Sequence, residues 1–488
     1  MPEDGGAPVR TVVSLVAAGG GLGDRVDVPV VDAELAPRIA APGRPALVGT
    51  SSWVVPTAVR MRGALGQSFT SSLVLRNLGT APAPVEVYST PAGSDGTLEA
   101  LRASVTVPAG GTLLLDDALP VLFGETDGAA HLEVRSPSAL AVRSVVTGQS
   151  PAGARFSAEI PVVAAGEGTG TGRWPLLLPG LKVTAAVRCN VVLAETTGKG
   201  ARVALRLLDA AGRALGRGEV AVPAWGNAQV ALAGAVGLPG FVPEASSLRV
   251  EPLEGEGRVV AIATLVDNVS ASFSVVTGRP APQDGDDGSG PQVVASIVQA
   301  TGPGSFFTTE LSISTAAPNA APLSLTYDFA GTNEDGTPAR GSVRKDVLLP
   351  RDGALPIRFG QNVVRSLFER DPRTDTSGTL RIEGDGAGRV LARAAIATPV
   401  DLDGRSRGTM TAELPAAGPS SPEAVGDGAG PAVLLPGLRS WPRERANLIL
   451  SEIAGASARV SLGLLGEGGV LRGAREVVVG PFEKVQLN

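Results

Sequence analysis

The chain has 488 residues, a mass of 49.1 kDa and a formal net charge of −6. Hydrophobic residues make up 43% of it, which excludes a disordered polyelectrolyte, and its 64 Gly and 39 Pro follow no G-X-Y period, which excludes collagen. Dispersed, mildly acidic charge gives no electrostatic basis for binding nucleic acid or an anionic membrane.

The opening Met1-Pro2-Glu3-Asp4-Gly5-Gly6 has no basic start and no apolar core, so no signal peptide is expected there. The longest uncharged stretch, residues 220–243, is broken by Pro223 and Pro239 and predicts no membrane-spanning helix. Val9-Arg10-Thr11-Val12-Val13, followed by the run at 26–31, copies Val142-Arg143-Ser144-Val145-Val146, followed by 156–163. Residues 1–41 therefore read as the closing strands of a truncated repeat.

The rest of the chain repeats at about 125 residues. Full repeats are expected at 45–165, 174–281 and 291–417, with the opening strands of a truncated repeat at 431–488. Val107-Pro108, Val222-Pro223, Leu349-Pro350 and Gly480-Pro481 mark one recurring turn, spaced by roughly 115–131 residues. The second and last repeats align almost without gaps. Asn190-Val191-Val192-Leu193 matches Asn447-Leu448-Ile449-Leu450, and the strand from Ala201 to Leu208 matches that from Ala458 to Leu465. Closing strands recur from Leu140, Val259 and Leu391. Gly- and Pro-rich stretches at 166–172, 280–290 and 416–430 read as flexible spacers.

Within a repeat, short runs such as His131-Leu132-Glu133-Val134 alternate apolar and polar residues, the period of half-buried strands. Turn signals every ~8–12 residues predict an all-β antiparallel sandwich. One helical turn is expected after the proline strand, capped by Asp116 in the first repeat and Asn362 in the third. No long helix is expected.

Arg76-Asn77-Leu78-Gly79-Thr80-Ala81-Pro82-Ala83, with Val107-Pro108-Ala109-Gly110-Gly111, resembles the turn and strand of bacterial extracellular immunoglobulin-like, cell-adhesion-related β-sandwich repeats. The resemblance is of architecture. It fades in the second repeat, where Glu195-Thr196-Thr197-Gly198-Lys199-Gly200 replaces the turn. It implies a stalk, spacer or adhesion role at an extracellular or cell-surface location, and it brings no catalytic residues.

Site chemistry is sparse. The single cysteine, Cys189, forbids an internal disulfide and reads as a small buried hydrophobe in a strand. The single histidine, His131, has no nucleophile motif beside it and reads as structural. Gly148-Gln149-Ser150-Pro151-Ala152 lacks the final Gly of a nucleophile elbow, and Gly198-Lys199 lacks the first Gly of a phosphate loop. Both read as hairpin turns. Zinc needs clustered Cys and His, which are missing. Calcium is a weak candidate at Asp284, Asp286 and Asp287 and at Asp401 and Asp403, since no closing bidentate Glu follows. Paired carboxylates are plentiful, but a glycosidase cleft would need more aromatic walls than this chain supplies. Trp53, Trp174 and Trp441, each near the opening of a repeat, read as packing between repeats.

The sequence thus predicts no catalytic, cofactor or metal residues. Its expected role is a non-enzymatic structural or adhesive segment, a stalk or spacer, of a larger bacterial secreted or surface protein. The alternatives are a glycan- or protein-binding sandwich module and an accessory region of a secreted hydrolase. Expected partners are neighbouring repeats, with a surface glycan or protein as a further candidate and neither nucleic acid nor a membrane span. The complementary truncated ends are expected to pair between molecules or dock loosely, because closure within a rod would have to bring distant termini together.

Overall fold

The computed structural model describes residues 9–17, 39–40, 50–63, 66–151, 153, 155–242, 246–268, 272–281, 292–302, 305–356, 362–370, 374–397, 410–415, 444–466 and 468–487. The fold is all-β, with strands paired antiparallel throughout and only short helical turns. No helix among the described residues is long and apolar enough to cross a membrane.

Two strands come first, β1 (Val9–Ala17) and β2 (Ile39–Ala40). A first set follows: β3 (Ser51–Arg62), β4 (Ser68–Asn77), β5 (Ala83–Pro91), β6 (Leu101–Val107), β7 (Thr112–Leu115), α1 (Ala118–Phe123), β8 (Gly128–Ser136), β9 (Leu140–Gln149), β10 (Arg155–Ile160) and β11 (Val163–Ala164). The second set is β12 (Leu176–Pro179), β13 (Val187–Glu195), β14 (Ala201–Leu208), β15 (Ala214–Val222), β16 (Asn227–Ala231), α2 (Leu232–Ala235), β17 (Ser247–Glu254), β18 (Val259–Asp267), β19 (Phe273–Thr277) and β20 (Arg279–Pro280). The third is β21 (Gln292–Gly302), β22 (Ser305–Thr315), β23 (Ala321–Thr332), β24 (Pro338–Leu349), α3 (Val363–Ser366), β25 (Asp375–Glu383), β26 (Val390–Ala397) and β27 (Met410–Pro415). Last come β28 (Glu444–Glu452), β29 (Ala458–Leu465), β30 (Leu471–Val479) and β31 (Lys484–Leu487).

The first three sets share one pairing order. Lettering the positions A to H along each set, one layer runs D-C-F-A: β6-β5-β8-β3, β15-β14-β17-β12 and β24-β23-β25-β21; in the first and third sets one end of A also pairs with B (β3 with β4, β21 with β22), so the two layers are joined there. The other runs E-B-G-H: β7-β4-β9-β10 and β16-β13-β18-β19, with B-G-H as β22-β26-β27 in the third. There, E shrinks to a single bridge between Ser314 and Ala354. Alternation explains the core. In β8, Ala130, Leu132 and Val134 point between the sheets, and His131, Glu133 and Arg135 occupy the opposite face. Phe123, Leu73 and Leu75 are among the largest fully buried side chains of the first core, Leu178, Leu181 and Leu193 of the second, and Tyr327 of the third.

The fourth set departs from expectation. β28, β29, β30 and β31 take positions B, C, D and E, and position G is filled by β1 of the same chain. Its register follows the rule of the other three, in which the last B residue faces the first G residue. Asn77 faces Leu140, Glu195 faces Val259, Thr315 faces Val390, and Glu452 faces Val9. Val9 therefore corresponds to Leu140, two residues from the match read in sequence; a two-residue slip keeps every side chain on its face. The expected rod, with ends pairing between molecules, is replaced by pairing within one molecule. β10 packs against β19, β19 against β27, β27 against β1, and β1 against β10, so the four sets surround a common axis. The run at 26–31 lies outside the described residues.

Two smaller expectations change. Asp116 does not cap α1; Asp117 holds that position with φ 56° and no side-chain cap bond, and Asp116 accepts from the Ser72 hydroxyl. Asn362 caps α3 as expected, accepting from the Val364 N–H at 3.1 Å. The 166–172 stretch is no free spacer: Gly166 N–H donates to Thr196 O, and Thr169 pairs with Val259 across a bridge. Of the other two spacers, residues 282–290 and 416–430 lie outside the described residues.

Val12 and Ile449 stand directly opposite in the β1–β28 ladder. In a Cys189→Ser background, V12C/I449C should oxidise to a disulfide within single chains, seen as a monomeric, faster-migrating band on non-reducing gels. Disulfide-linked dimers and higher species would show that the strands pair between molecules.

Candidate functional site

The most regular feature of the molecule is a four-residue turn between positions D and E. It closes with an N–H to C=O bond from Gly111 to Pro108 (2.9 Å), Gly226 to Pro223 (3.2 Å), Gly353 to Pro350 (3.1 Å) and Glu483 to Gly480 (3.0 Å). Gly480, and not Pro481, therefore occupies the place of the recurring proline. The third residue of each turn is left-handed: Gly110 (φ 57°), Trp225 (φ 45°), Asp352 (φ 50°) and Phe482 (φ 53°). Only the first is a glycine. For a bulky side chain this conformation costs about 1–3 kcal/mol and persists only where the surroundings impose it.

The imposition comes first from within the same set. Glu195 ends strand B of the second set, and its carboxylate accepts from the N–H of Thr197 (2.7 Å), Gly198 (2.6 Å) and the left-handed Trp225 (2.9 Å). Glu452 repeats this in the fourth, accepting from Ala454 (2.6 Å), Gly455 (2.9 Å) and the left-handed Phe482 (2.9 Å). Both glutamates are fully buried. Asn77 does the corresponding work in the first set, its amide donating to Ala81 O, Val107 O and Pro108 O. In the third set the Thr315 hydroxyl accepts from the Ala317 N–H and donates to Arg389 O, and it is the Thr315 backbone N–H that reaches the turn, at Gly353 O (2.9 Å). A buried polar group at this point is stabilising only when its bonds are met, and here one side chain satisfies several backbone donors at once.

The second restraint comes from the preceding set. An arginine on strand F reaches the left-handed residue of the next set each time. The Arg135 guanidinium lies 5.8 Å from the Trp225 ring, Arg249 pairs with Asp352 at 3.3 Å, and Arg381 lies 4.3 Å from the Phe482 ring. Each arginine also holds acids of its own sheet. Arg135 makes a two-bonded pair with the fully buried Glu133 (2.8 and 3.0 Å), Arg249 pairs with Glu251 (2.7 Å), and Arg381 pairs with Asp328 (2.8 Å) and Glu383 (3.0 Å). Cation–π contact is worth about 0.5–2 kcal/mol, more as water is excluded. The C–D loops press on the same turns. A Cβ built on Gly96 would lie 2.3 Å from Trp225 O, and one on Gly212 would lie 2.3 Å from Arg351 O. One on Gly469, in the fourth set, would lie 2.6 Å from Gly110 O in the first. The last contact carries the pattern from the fourth set back to the first.

Strand A adds a third element. A bulge in β3 frees Pro56 O, which accepts from the Asn227 amide of the second set at 2.7 Å. The matching bulge in β21 frees Ala295 O for the Ser451 hydroxyl (2.7 Å) and places the Ser296 hydroxyl 2.9 Å from the Lys484 Nζ. Lys182 pairs with Glu310 between the second and third sets. Phe69 and Phe273 meet edge to face at 5.7 Å between the first and second.

The residues singled out in sequence do not converge. Cys189 lies in the core of the second set, and burial pushes its thiol up to about 12, which leaves it protonated at neutral pH. His131 is buried on β8, Ser150 follows β9 in a loop, and Lys199, which pairs with Glu256, lies in the loop that crosses from β13 to β14 in the other sheet, not in the expected hairpin. Trp53 is half-buried against the first core, but Trp174 is 60% exposed and does not pack between sets as expected. Trp225 does so instead. Trp441, Asp284, Asp286, Asp287, Asp401 and Asp403 lie outside the described residues. Among the described residues, no group of three or more His, Cys, Asp or Glu could hold a metal ion. Sequence reading missed the three arginines, since Arg249-x-Glu251 and Arg381-x-Glu383 look like any solvated strand face. The available signal was their recurrence one strand before each closing strand. No protein-family model matches the chain, and no curated protein matches it.

Lys484 gives this seam a pH signature. Burial pushes its ammonium down to about 8 from the usual 10.5. The folded chain gives up this proton before the unfolded one, so between those values the unfolded state binds more protons and stability rises with pH. Urea titrations from pH 7 to 10.5 should show that rise in the wild type and lose it in Lys484→Met. Parallel curves would show that Lys484 titrates like a solvated lysine.

Proposed function

We propose that the chain is a non-enzymatic structural scaffold of a larger bacterial secreted or cell-surface protein, built from tandem copies of one immunoglobulin-like sandwich. The observation that carries this reading is the clamp: in each of the first three sets an elaborate polar constellation on strand F is spent on gripping the next. In enzymes such groups converge on a cleft where a substrate can reach them; here they are consumed at seams. The common pairing order supports the repeat reading at 45–165, 174–281 and 291–417, with 431–488 and 1–41 sharing a fourth copy. Like an immunoglobulin sandwich, the first three sets pair B with E and C with F, but A stands beside F, pairing with B only over a few residues in the first and third sets, and G stands beside B. The likeness is therefore one of architecture.

Head-to-tail contacts that return to their start favour a compact hub over an extended stalk. A hub of this kind sets the spacing and orientation of whatever is attached to it. A panel of ester, peptide and glycoside substrates should give no turnover above buffer with the purified chain, and calorimetry should show one dominant unfolding transition, because neighbouring sets share core and seam. Turnover abolished by substitution of a carboxylate pair would overturn the non-enzymatic reading, and separate transitions for each set would overturn the hub.

A further inference from the structure

One peptide bond at the seam of the third and fourth sets is ringed by groups that could react with it. The bulge in β21 holds Ala295 and Ser296 between the paired residues Val294 and Ile297, and both are buried. The carbonyl oxygen of Ala295 accepts from the Ser451 hydroxyl at 2.7 Å. On the nitrogen side of the same bond, the Ser296 hydroxyl lies 2.9 Å from Lys484 Nζ. Burial holds the Lys484 amine down to about 8, so just above neutral pH it is uncharged and able to accept a proton. The seam of the first and second sets supplies an internal comparison. Its bulge in β3 holds Pro56 and Thr57. The residue matching Lys484 is Asn227, which donates to Pro56 O, and the residue matching Ser451 is Ala194. Thr57 Oγ1 is buried with no hydrogen-bond partner among the described residues. Hydroxyl, base and hydroxyl donor to the carbonyl therefore meet at Ala295–Ser296 and not at Pro56–Thr57.

We infer that the chain cleaves its own backbone between Ala295 and Ser296, by transfer of the Ala295 acyl group from the Ser296 nitrogen to the Ser296 oxygen. The neutral Lys484 amine takes the hydroxyl proton as Ser296 Oγ bonds to the Ala295 carbonyl carbon, and the charge that develops on Ala295 O is met by the Ser451 hydroxyl. The C–N bond then breaks. Its electron pair stays on the Ser296 nitrogen, which takes the proton back from Lys484, and an ester is left. One water cleaves that ester to give an Ala295 carboxylate and a Ser296 with free amine and free hydroxyl. Nothing is oxidised or reduced. The pieces, residues 1–295 and 296–488, stay together after the cut. β1 of the first lies in the sheet of β28 of the second, and the Arg249–Asp352 and Lys182–Glu310 pairs join them as well. The reaction runs once per chain on its own backbone, so the scaffold reading stands with or without it.

The test is the intact mass, under denaturing conditions, of the full chain incubated at about pH 9, above the Lys484 value, with and without hydroxylamine. Hydroxylamine captures esters faster than water does, and the chain has no Asn-Gly bond for it to cut. The wild type should give two fragments parted at Ala295–Ser296. The first should end in a hydroxamate with the reagent and in a carboxylate without it. Lys484→Met should slow the cut roughly a hundredfold, the scale of a positioned general base. Ser296→Ala should stay whole, while Ser296→Cys, which keeps a nucleophile in place, should part at the same bond through a thioester. Calorimetry checks that both Ser296 variants are folded. A wild-type chain that stays whole through prolonged incubation would overturn the inference. So would equal cleavage in folded Ser296→Ala, an equal cut at Pro56–Thr57, or a carboxylate end in the presence of hydroxylamine, the mark of a contaminating protease. Ser296 and Lys484 acting only to join two sets would leave every sample whole.

Discussion

Everything in this structure depends on a residue held in a conformation it would not choose. Trp225, Asp352 and Phe482 occupy left-handed backbone, where a side chain pays a steric penalty. Trp225 and Phe482 are fixed from behind by a buried glutamate of their own set, and all three are fixed from in front by an arginine of the preceding set. The glutamate sets the turn, the turn aims the side chain, and the aimed side chain gives the arginine a target. A sandwich folded in isolation would leave that arginine with only its own acids, so folding of one set and docking of the next are coupled. The Glu133–Arg135 pair shows the stake: both side chains are nearly fully buried, and a buried charge that loses its partner costs several kcal/mol.

Because each seam joins strand F, the C–D loop or both from one set to the D–E turn of the next, the contact is heterologous and must either propagate or close. Here it closes. Gly469 of the fourth set meets Gly110 of the first, the one left-handed position without a side chain, so the final seam is sealed by close backbone approach. β1 locks the circuit by completing the sheet of β28, in the register used by every other set. First and second sets also share core, with Val192, Ile262, Val266, Phe273 and Val275 packing into the first. Such burial between neighbours makes the assembly one body in place of four beads on a string.

Much of the fold was legible in the sequence. Alternation in strands such as β8, the recurring Val-Pro turn and the closing strands from Leu140 and Val259 all identified real elements, because strand period and turn chemistry are local properties. The match of Ala201–Leu208 to Ala458–Leu465 also identified real elements, two strands whose ladders with the next strand share one register. What sequence could not show was direction. Nothing local in Val9–Ala17 says whether its partner lies in the same molecule, since that depends on the angle at which successive sandwiches pack. The clamp was hidden for a related reason. Arg135, Arg249 and Arg381 have ordinary strand neighbours, and their targets lie 90 to 103 positions away across a seam. The glutamates Glu195 and Glu452 sat in plain view at matching positions, but a carboxylate at a strand end reads as solvated until its backbone partners are seen.

The central claim is closure: four sandwiches held head to tail in one circuit. Small-angle X-ray scattering of the monomeric full chain measures this most directly. The account predicts a radius of gyration not far above the ~23 Å of a compact chain of this length, with a single-peaked distance distribution. A radius roughly twice that, with the long tail of sandwiches laid end to end, would contradict it.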